Sequence, residues 1–550
     1  MIRFIARACG LALTVLVTVS PAQAEFKVGV AVVEITPMLC DDAAANARPN
    51  QFDAERGCFR WIHLAGFSPY IPFRDDNRLA EGVHDPLWSR ALAIEGANGE
   101  TVVLVSTDLP GLSSKHTSHI RRRVVLNHSI PRSNIIIHST HTHSAPDGSG
   151  YWSTFMRGHN KHYTDYLRDR IYTSIDQSLR NLQPATMKVA TTTHLACHNP
   201  RTRQLKKEPD CRLPNINNQF NTSTADYDEF LIQRDQRDPI VGNTRIVTAE
   251  FTTVDGDPIA TFVNWHNHPD TLGSANRLIS SDYPHYLRDF MEHARGGRSV
   301  YFVGTVGNQI GGLRNTPVPL WNDARQRAFE EDTSGSSRRM LVTEGWDKIR
   351  STGYEIGAEA AAALAAAAAT DNTEIMVTVR SRMLETPVDN FIHLLATWSV
   401  WHHDVAYEDR LRYHWPRCWG LLGCVLSEVS LVRIGDLTIL TAPGEIDPAY
   451  VLGRQTSTAN YGPKWGSWHF PAMAGIDQYM PGKHHAVVGS THDYLSYMIP
   501  VSDYVGWWNG DHPNHYEDLV TIGRRFGNDV ERAWLKLLDT EPIGSAQSVP

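Results

Sequence analysis

Two pairs of histidines, each separated by one residue, are the part of this chain best suited to chemistry. His141-Thr142-His143 closes the apolar run Asn134-Ile-Ile-Ile-His138-Ser-Thr, and His266-Asn267-His268 follows the apolar segment Ile259–Asn264 about 120 residues later. Neutral imidazole is the commonest zinc ligand, and a catalytic zinc site needs three protein ligands and one open position. In an extended chain residues i and i+2 face the same side, so each pair can turn both rings into one cavity. With 26 His in 550 residues, chance alone supplies roughly one such pair. The argument therefore rests on where the pairs stand, at the ends of short apolar segments that read as buried strands running into polar turns. Buried structural histidines would give the same spacing.

The elements that must position these side chains read as an α/β chain. Strands are predicted at Val28–Ile35, Thr101–Ser106, Asn134–His138, Ile246–Thr252, Ile259–Asn264, Ser299–Val303 and Leu437–Thr441, and helices at Tyr163–Asn181, Pro284–Ala294 and Val342–Ala369. The last helix is alanine-rich and stops at Thr370-Asp371-Asn372, which marks the place for a subdomain boundary near 370 if there is one. Polar residues gather where strands run out, the usual place for sites in α/β proteins: His84 before an apolar run, Asp108 after Val102–Thr107, Asp282 after Leu278-Ile-Ser-Ser, and Glu445 in a Pro443-Gly444 turn. Each of these, taken alone, also serves as a turn former or helix cap.

The amino terminus has a basic segment (Arg3, Arg7), an apolar stretch from Gly10 to Val19 and an Ala22-Gln23-Ala24 cleavage site. This is the pattern of a secretory signal peptide over residues 1–24, cut after Ala24. The apolar stretch is too short to span a bilayer, so no transmembrane span is expected and residues 25–550 should be periplasmic or secreted. Removing the leader lowers Lys+Arg from 52 to 50 against 60 Asp+Glu, so the net charge moves from −8 to −10. An acidic chain without a long basic run is a poor nucleic-acid binder. After the leader, six cysteines remain as close neighbours, Cys40 with Cys58, Cys197 with Cys211 and Cys418 with Cys424, a pattern that suits local disulfides in an oxidising compartment. The mature length and 41% apolar composition suit a large globular core, without linkers or repeats.

Taken together, these segments resemble the neutral/alkaline non-lysosomal ceramidase family, in its amino-terminal catalytic domain. The family's Thr-His-Thr-His-Ser-Gly-Pro is similar to Thr140-His-Thr-His-Ser-Ala-Pro146, and its opening to Gly29-Val-Ala-Val-Val-Glu-Ile-Thr36. Its Gly-Ile-His resembles Gly82-Val-His84, followed by Ser89-Arg90-Ala91. Its Asn-Trp…His-Pro resembles Asn264-Trp265-His-Asn-His268-Pro269, and its Asn-His-Leu-Ile-Ser-Gly-Asp resembles Asn276-Arg-Leu-Ile-Ser-Ser-Asp282. Pro443-Gly444-Glu445 and Gly489-Ser-Thr-His-Asp-Tyr494-Leu-Ser-Tyr497 complete seven motifs in the same order. The resemblance implies a large mixed-sheet catalytic domain flanked by helices and one Zn²⁺ per chain, held by His141, His268, Glu445 and Tyr494. It also implies His143 as a substrate-contacting neighbour and an arginine in the site, matched by Arg201 with Arg203 as runner-up. Such an ion polarises a carbonyl or acidifies bound water, and His143 and Arg201 would stabilise the oxyanion. Asp108 and Asp282 would orient the ligands from behind.

The chain departs from that pattern in two places. Where the family supplies a nucleophilic serine, Tyr301-Phe-Val-Gly-Thr305-Val-Gly-Asn308-Gln-Ile-Gly-Gly312 has none, and Thr305 is the only aliphatic hydroxyl. Direct attack by water activated on the metal, Thr305 as substitute nucleophile, and loss of activity are the readings left, the first being preferred because it needs no side-chain nucleophile. The family's carboxy-terminal immunoglobulin-like domain would not fit into the 56 residues after Tyr494, since such domains take about 100. Trp398, Trp401, Trp415, Trp419, Trp465 and Trp468 flank Glu445 and could line an apolar cleft or simply pack. The sequence thus predicts an exported zinc amidohydrolase acting on an apolar N-acyl, ceramide-like small-molecule or lipid substrate, with His143 or Tyr497 assisting departure of the amine. The alternatives are a metal-dependent esterase or lactonase and a non-catalytic lipid-binding relative; the oligomeric state is open.

Overall fold

The computed structural model describes residues 25–41, 52–60, 62–67, 78–152, 160–194, 239–311, 341–368, 374–390, 424–506 and 508–539, with short pieces at 196–198, 205–207, 219–220, 229–230, 237, 318–321, 323 and 393. The larger sheet has eight strands: β1 (Lys27–Glu34), β2 (Trp88–Glu95), β3 (Thr101–Thr107), β4 (Ile135–Ser139), β5 (Gln183–Thr193), β6 (Arg245–Thr253), β7 (Pro258–Trp265) and β8 (Arg298–Val303). They lie in the order β8-β7-β6-β5-β1-β2-β3-β4. The sheet is mixed: β3 and β4 are parallel, as are β7 and β8, and the other neighbours are antiparallel. Parallel neighbours need a helical crossover, and the helices α1 (Ser114–His128) and α3 (Tyr283–Arg295) supply it for the two pairs.

A second, four-stranded sheet is built from β9 (Val377–Pro387), β10 (Cys424–Ile434), β11 (Leu437–Thr441) and β13 (His484–Val488), in the order β9-β10-β11-β13, with β11 and β13 parallel. The short strands β12 (Glu445–Ile446) and β14 (Tyr497–Met498) pair in parallel beyond its end. The two sheets share one apolar layer. Phe26, Val28, Leu104, Val247, Phe262 and Phe302 from the larger sheet join Val377, Val432, Ile434, Ile439 and Val488 from the smaller. Residues on either side of position 370 thus contribute to a common core.

Helices cover the outer faces. α2 (Lys161–Arg180) buries Tyr163, Leu167, Ile171 and Ile175, at i, i+4 and i+8 spacing and one turn beyond, against β1 to β3. It starts at Asn160, whose side chain accepts the His162 and Tyr163 N–H groups and satisfies two of the unpaired donors at that helix end. α3 and α4 (Gly345–Ala366) pack together over the other half of the larger sheet, and Gly353 and Gly357 allow the approach because a Cβ there would meet Tyr286 and Phe290 at 2.7 and 2.9 Å. The smaller sheet is covered by α6 (Phe526–Leu537), which sinks Trp534 fully into the core and donates its indole N–H to the Thr441 carbonyl at 2.8 Å. A short helix, α5 (His515–Val520), precedes it. The expected disulfide Cys40–Cys58 is present, and Cys424 is also disulfide-bonded. No helix among the described residues is long and apolar enough to cross a membrane.

Candidate metal centre

The carboxyl ends of three parallel strand pairs, β3/β4, β7/β8 and β11/β13, meet at one edge of the two sheets, and the turns leaving them hold the conspicuous residues. The chain leaves β4 through Thr140 and places His141 at φ 65°, where a residue with a Cβ stands only if its surroundings hold it. They do: the His141 N–H donates to the Leu109 carbonyl at 2.9 Å, and its ring Nδ1 donates to the Pro110 carbonyl at 2.6 Å. His268 follows β7, and both its backbone N–H and its ring Nδ1 reach the Gln309 carbonyl at 3.0 Å. Both imidazoles are therefore fixed with Nε2 free of the backbone, the arrangement that prepares a histidine for a metal.

Those two Nε2 atoms converge on Glu445, which comes from the turn after β11. Its Oε2 is 3.0 Å from His268 Nε2 and 3.6 Å from His141 Nε2, and the Tyr494 hydroxyl donates to its Oε1 at 2.5 Å. All four side chains are at most 3% exposed. His143 stands beside them with its Nε2 3.3 Å from that of His141, and the ligand nitrogens of His141, His143 and His268 lie within 4.8 Å of one another. Four atoms set tetrahedrally about 2.0–2.1 Å from a zinc ion would be about 3.3 Å apart, so the donor types and their mutual spacing fit a divalent cation.

The electrostatics agree. Burial would raise the Glu445 carboxyl, but the His141 and His268 rings against it hold it below the ordinary carboxylate range, so it is ionised. Burial, and then Glu445, push the Tyr494 phenol well above its usual value, and Tyr497, opposite Glu445 in the β12/β14 pair, is raised for the same reasons. His143 is pulled well below its usual value by burial and by the two neighbouring imidazoles, so it is neutral. It differs from the other two in its anchoring. Its Nδ1 is buried with no hydrogen-bond partner, while its backbone N–H donates to the Pro269 carbonyl at 2.9 Å.

Several expectations change at this point. The second histidine pair does not turn both rings inward: His266 Nδ1 accepts the Thr305 N–H at 2.9 Å, and burial pulls its pKa to about 3. The Thr305 hydroxyl donates to Gln309 Oε1 at 2.9 Å, and its oxygen lies 3.0 Å from the same ring nitrogen. Asp108 and Asp282 do not orient the imidazoles, because backbone carbonyls do. Asp108 instead pairs in two places with Arg288 at 2.7 and 2.9 Å, and Asp282, at φ 61°, caps α3 through the Tyr283 N–H. His512 is 4% exposed and packs among Tyr461, Trp465 and Trp468. Arg201, Arg203, the leader, Cys197, Cys211, Cys418 and the tryptophans at 398, 401, 415 and 419 lie outside the described residues or have side chains that do.

The sequence reading missed the aromatic wall beside the ligands. Tyr151 and Trp152 pack on the Tyr494 ring at 5.2 and 5.1 Å, and Trp152 also reaches His141 at 6.4 Å. Behind Tyr494 sits Gly111, where a Cβ would fall 2.7 Å from Tyr494 Cγ. The signal was there in Gly150-Tyr151-Trp152, but it gains meaning only once the β4 turn brings it to His141.

Residues 68–384 match the sequence family described as neutral/alkaline non-lysosomal ceramidase, N-terminal. That span contains His141 and His268, while Glu445 and Tyr494 lie beyond it. The chain is 24% identical over 241 residues to the neutral ceramidase of Pseudomonas aeruginosa, covering 42% of this chain and 32% of that protein. It is 23% identical over 301 residues to the neutral ceramidase of Oryza sativa subsp. japonica, covering 51% and 35%. The matched segments thus span about a third of these relatives' length. The crystal structure of the Pseudomonas aeruginosa neutral ceramidase superposes with a TM-score of 0.56 at 16% identity, covering 94% of this chain and 74% of that one, which shows a common fold.

Proposed function

The chain belongs to the neutral/alkaline non-lysosomal ceramidase family, and from that premise we propose that it is an exported, zinc-dependent hydrolase that cleaves the amide bond of an apolar N-acyl, ceramide-like substrate. The observation that carries the reading is the convergence of His141 Nε2, His268 Nε2, the Glu445 carboxylate and the Tyr494 hydroxyl, with both Nδ1 atoms held by carbonyls. These four are the proposed ligands. When bound, the ion would polarise the substrate carbonyl and make water a nucleophile near neutral pH.

The chain's own residues do the rest. Glu445 brings the negative charge that balances a dication, and the carbonyls of Pro110 and Gln309 keep the two imidazoles in the ligating tautomer. His143, neutral and unanchored by any carbonyl, faces the attacked carbonyl and donates to the developing oxyanion, aided by Arg201. Tyr497 keeps its proton because it is buried beside Glu445, which makes it a suitable donor to the departing amine. Trp152 and Tyr151 offer an apolar wall for the acyl chain. The Thr305 hydroxyl donates its one proton to Gln309 Oε1, and the His266 Nδ1 beside it already accepts the Thr305 N–H, which favours water over Thr305 as nucleophile. The Cys40–Cys58 disulfide supports export with removal of residues 1–24, and 25–550 is proposed as one catalytic unit.

The missing serine favours a second reading, a lipid-binding relative without catalysis. Metal analysis of the purified mature protein, with His141→Ala and Glu445→Ala, separates the two when paired with an assay of an N-acyl amide and its matching ester. About one zinc per chain, lost in both variants together with amide hydrolysis, is the expected result. No stoichiometric metal, or metal that both variants keep, would overturn the site.

A further inference from the structure

His194 follows directly on β5, and α4 presents Glu355 and Glu359 to it. Glutamates four apart on a helix stand one above the other on the same face. The strand end is pinned: the His194 N–H donates to the Thr244 carbonyl at 2.9 Å, and Thr193 pairs with Arg245 at the start of β6. The helix is pinned as well, with Ile349, Ile356 and Ala360 packed in one apolar cluster with Ala190 of β5 and Ile246 of β6. Donors from two fixed elements thus converge, their ligand atoms all within 4.8 Å of one another. His194 is 2% exposed and Glu355 4%, while Glu359 is half-buried.

Donor types and spacing suit a metal. Two atoms each about 2.1 Å from one ion are at most about 4.2 Å apart, so the set closes on an ion with a shift of less than about 1 Å, within reach of a glutamate chain. Carboxylates one turn apart repel, and the repulsion grows away from water. A shared dication turns it into attraction. The imidazole adds a nitrogen donor, which favours a transition ion over Ca²⁺ or Mg²⁺, since those prefer oxygen. The cluster shares no residue with the set of His141, His268, Glu445 and Tyr494.

We propose that His194, Glu355 and Glu359 form a second metal site, which takes a first-row transition dication such as Mn²⁺ and staples α4 to the end of β5. Three donors, one of them at the solvent edge, hold an ion less tightly than four buried ones, so this site fills from added ion and exchanges it. The ion binds only the folded arrangement of strand and helix, and so stabilises it. The proposal stands apart from the hydrolase reading, since it needs neither the zinc nor turnover.

The test adds Mn²⁺ to the zinc-loaded mature protein and to its His194→Ala, Glu355→Gln and Glu359→Gln variants. Bound Mn²⁺ is counted by electron paramagnetic resonance, and zinc content and melting temperature are measured before and after. Zinc binds nitrogen and oxygen donors more tightly than Mn²⁺, so the first centre keeps its ion. Wild type should bind about one Mn²⁺ per chain at this cluster. Its spin-echo spectrum should show nitrogen coupling from the imidazole, and the ion should raise its melting temperature. Each variant should bind Mn²⁺ at least about tenfold more weakly, since even changes behind a ligand cost about 10- to 100-fold. His194→Ala should also lose the nitrogen coupling, and added Mn²⁺ should leave the melting temperature of Glu359→Gln unchanged. No saturable binding, equal binding by Glu359→Gln and wild type, or Mn²⁺ held without nitrogen coupling would overturn the proposal. So would uptake matched by loss of zinc, which places the ion at the first centre. If His194→Ala does not fold, Glu359→Gln, changed at a half-buried position, decides by the same comparison. If the protein takes up no zinc, the hydrolase reading fails by itself, and the same variants still report on this site.

Discussion

Gly111→Ala is a substitution that adds no charge and removes no hydrogen bond, yet it should disable the metal centre. The added Cβ would lie 2.7 Å from Tyr494 Cγ and 2.8 Å from Tyr494 Cβ. Carbon atoms rest about 3.5–4.0 Å apart, so the tyrosine must retreat by about 1 Å. The ring is 3% exposed and backed by Tyr151 and Trp152, so it cannot retreat by rotating into solvent. A displacement of about 1 Å at the hydroxyl far exceeds the roughly 0.2 Å tolerance of a metal bond, and misplacement on that scale costs about 100-fold in rate. The overpacking itself should lower stability by about 1–3 kcal/mol. Zinc affinity by competition with a chromophoric chelator and kcat for amide hydrolysis would be measured beside Tyr494→Phe, which removes the ligand without moving the backbone. The two variants should lose zinc affinity together. If Gly111→Ala binds zinc and turns over as wild type does while Tyr494→Phe fails, the steric argument is wrong; if both behave as wild type, Tyr494 is not a ligand.

Asp108→Ala should cost about 3–5 kcal/mol of unfolding free energy, because it leaves the Arg288 guanidinium buried without its carboxylate; the folded fraction should keep its zinc, and loss of zinc without loss of stability would restore Asp108 as a support for the ligands. Replacing Cys40 and Cys58 by Ser should lower stability by about 3 kcal/mol, as expected for a loop with a sequence separation of 18, and an unchanged denaturation midpoint would contradict this. Burial raises Glu531 to about 7. Its folded form therefore holds a proton that the unfolded chain has given up above about pH 4.3, so its contribution to stability declines as pH rises from there through 7. Glu531→Gln should stabilise the protein more at pH 8 than at pH 5, and equal effects at both would refute the assignment.

Much of this architecture was legible in the sequence because buried strands and amphipathic helices write their periodicity locally. The strands at 101, 135, 259 and 437 and the helices at 163 and 284 fall within a few residues of expectation. β9 was not foreseen because Thr378-Val-Arg-Ser-Arg-Met383 is mostly exposed and lacks a regular alternation. α1 was missed because Ser114-Lys-His-Thr-Ser-His-Ile-Arg-Arg-Arg is polar on most of its surface, and its buried face includes His116, Thr117 and Arg121. The four residues expected as ligands stood out through motif order, and their side chains converge in the structure. What the sequence could not reveal is which polar groups stand behind them. Asp108 looked like a support because it ends a strand, but the carbonyls that do the supporting belong to Pro110 and Gln309, and a carbonyl leaves no trace in a residue's identity.

His141 and His268 hang from the larger sheet, while Glu445 and Tyr494 hang from turns of the smaller one, and about 350 residues separate the first from the last. Neither sheet alone offers more than two of the four donors. If the four hold an ion as proposed, the chain must finish both sheets and dock them before it can capture it, and contacts of such long range form slowly. Metal capture would then be a checkpoint on folding: a half-assembled molecule could not be loaded, and an ion in place would rivet the two layers together, so that separating them would also require giving it up.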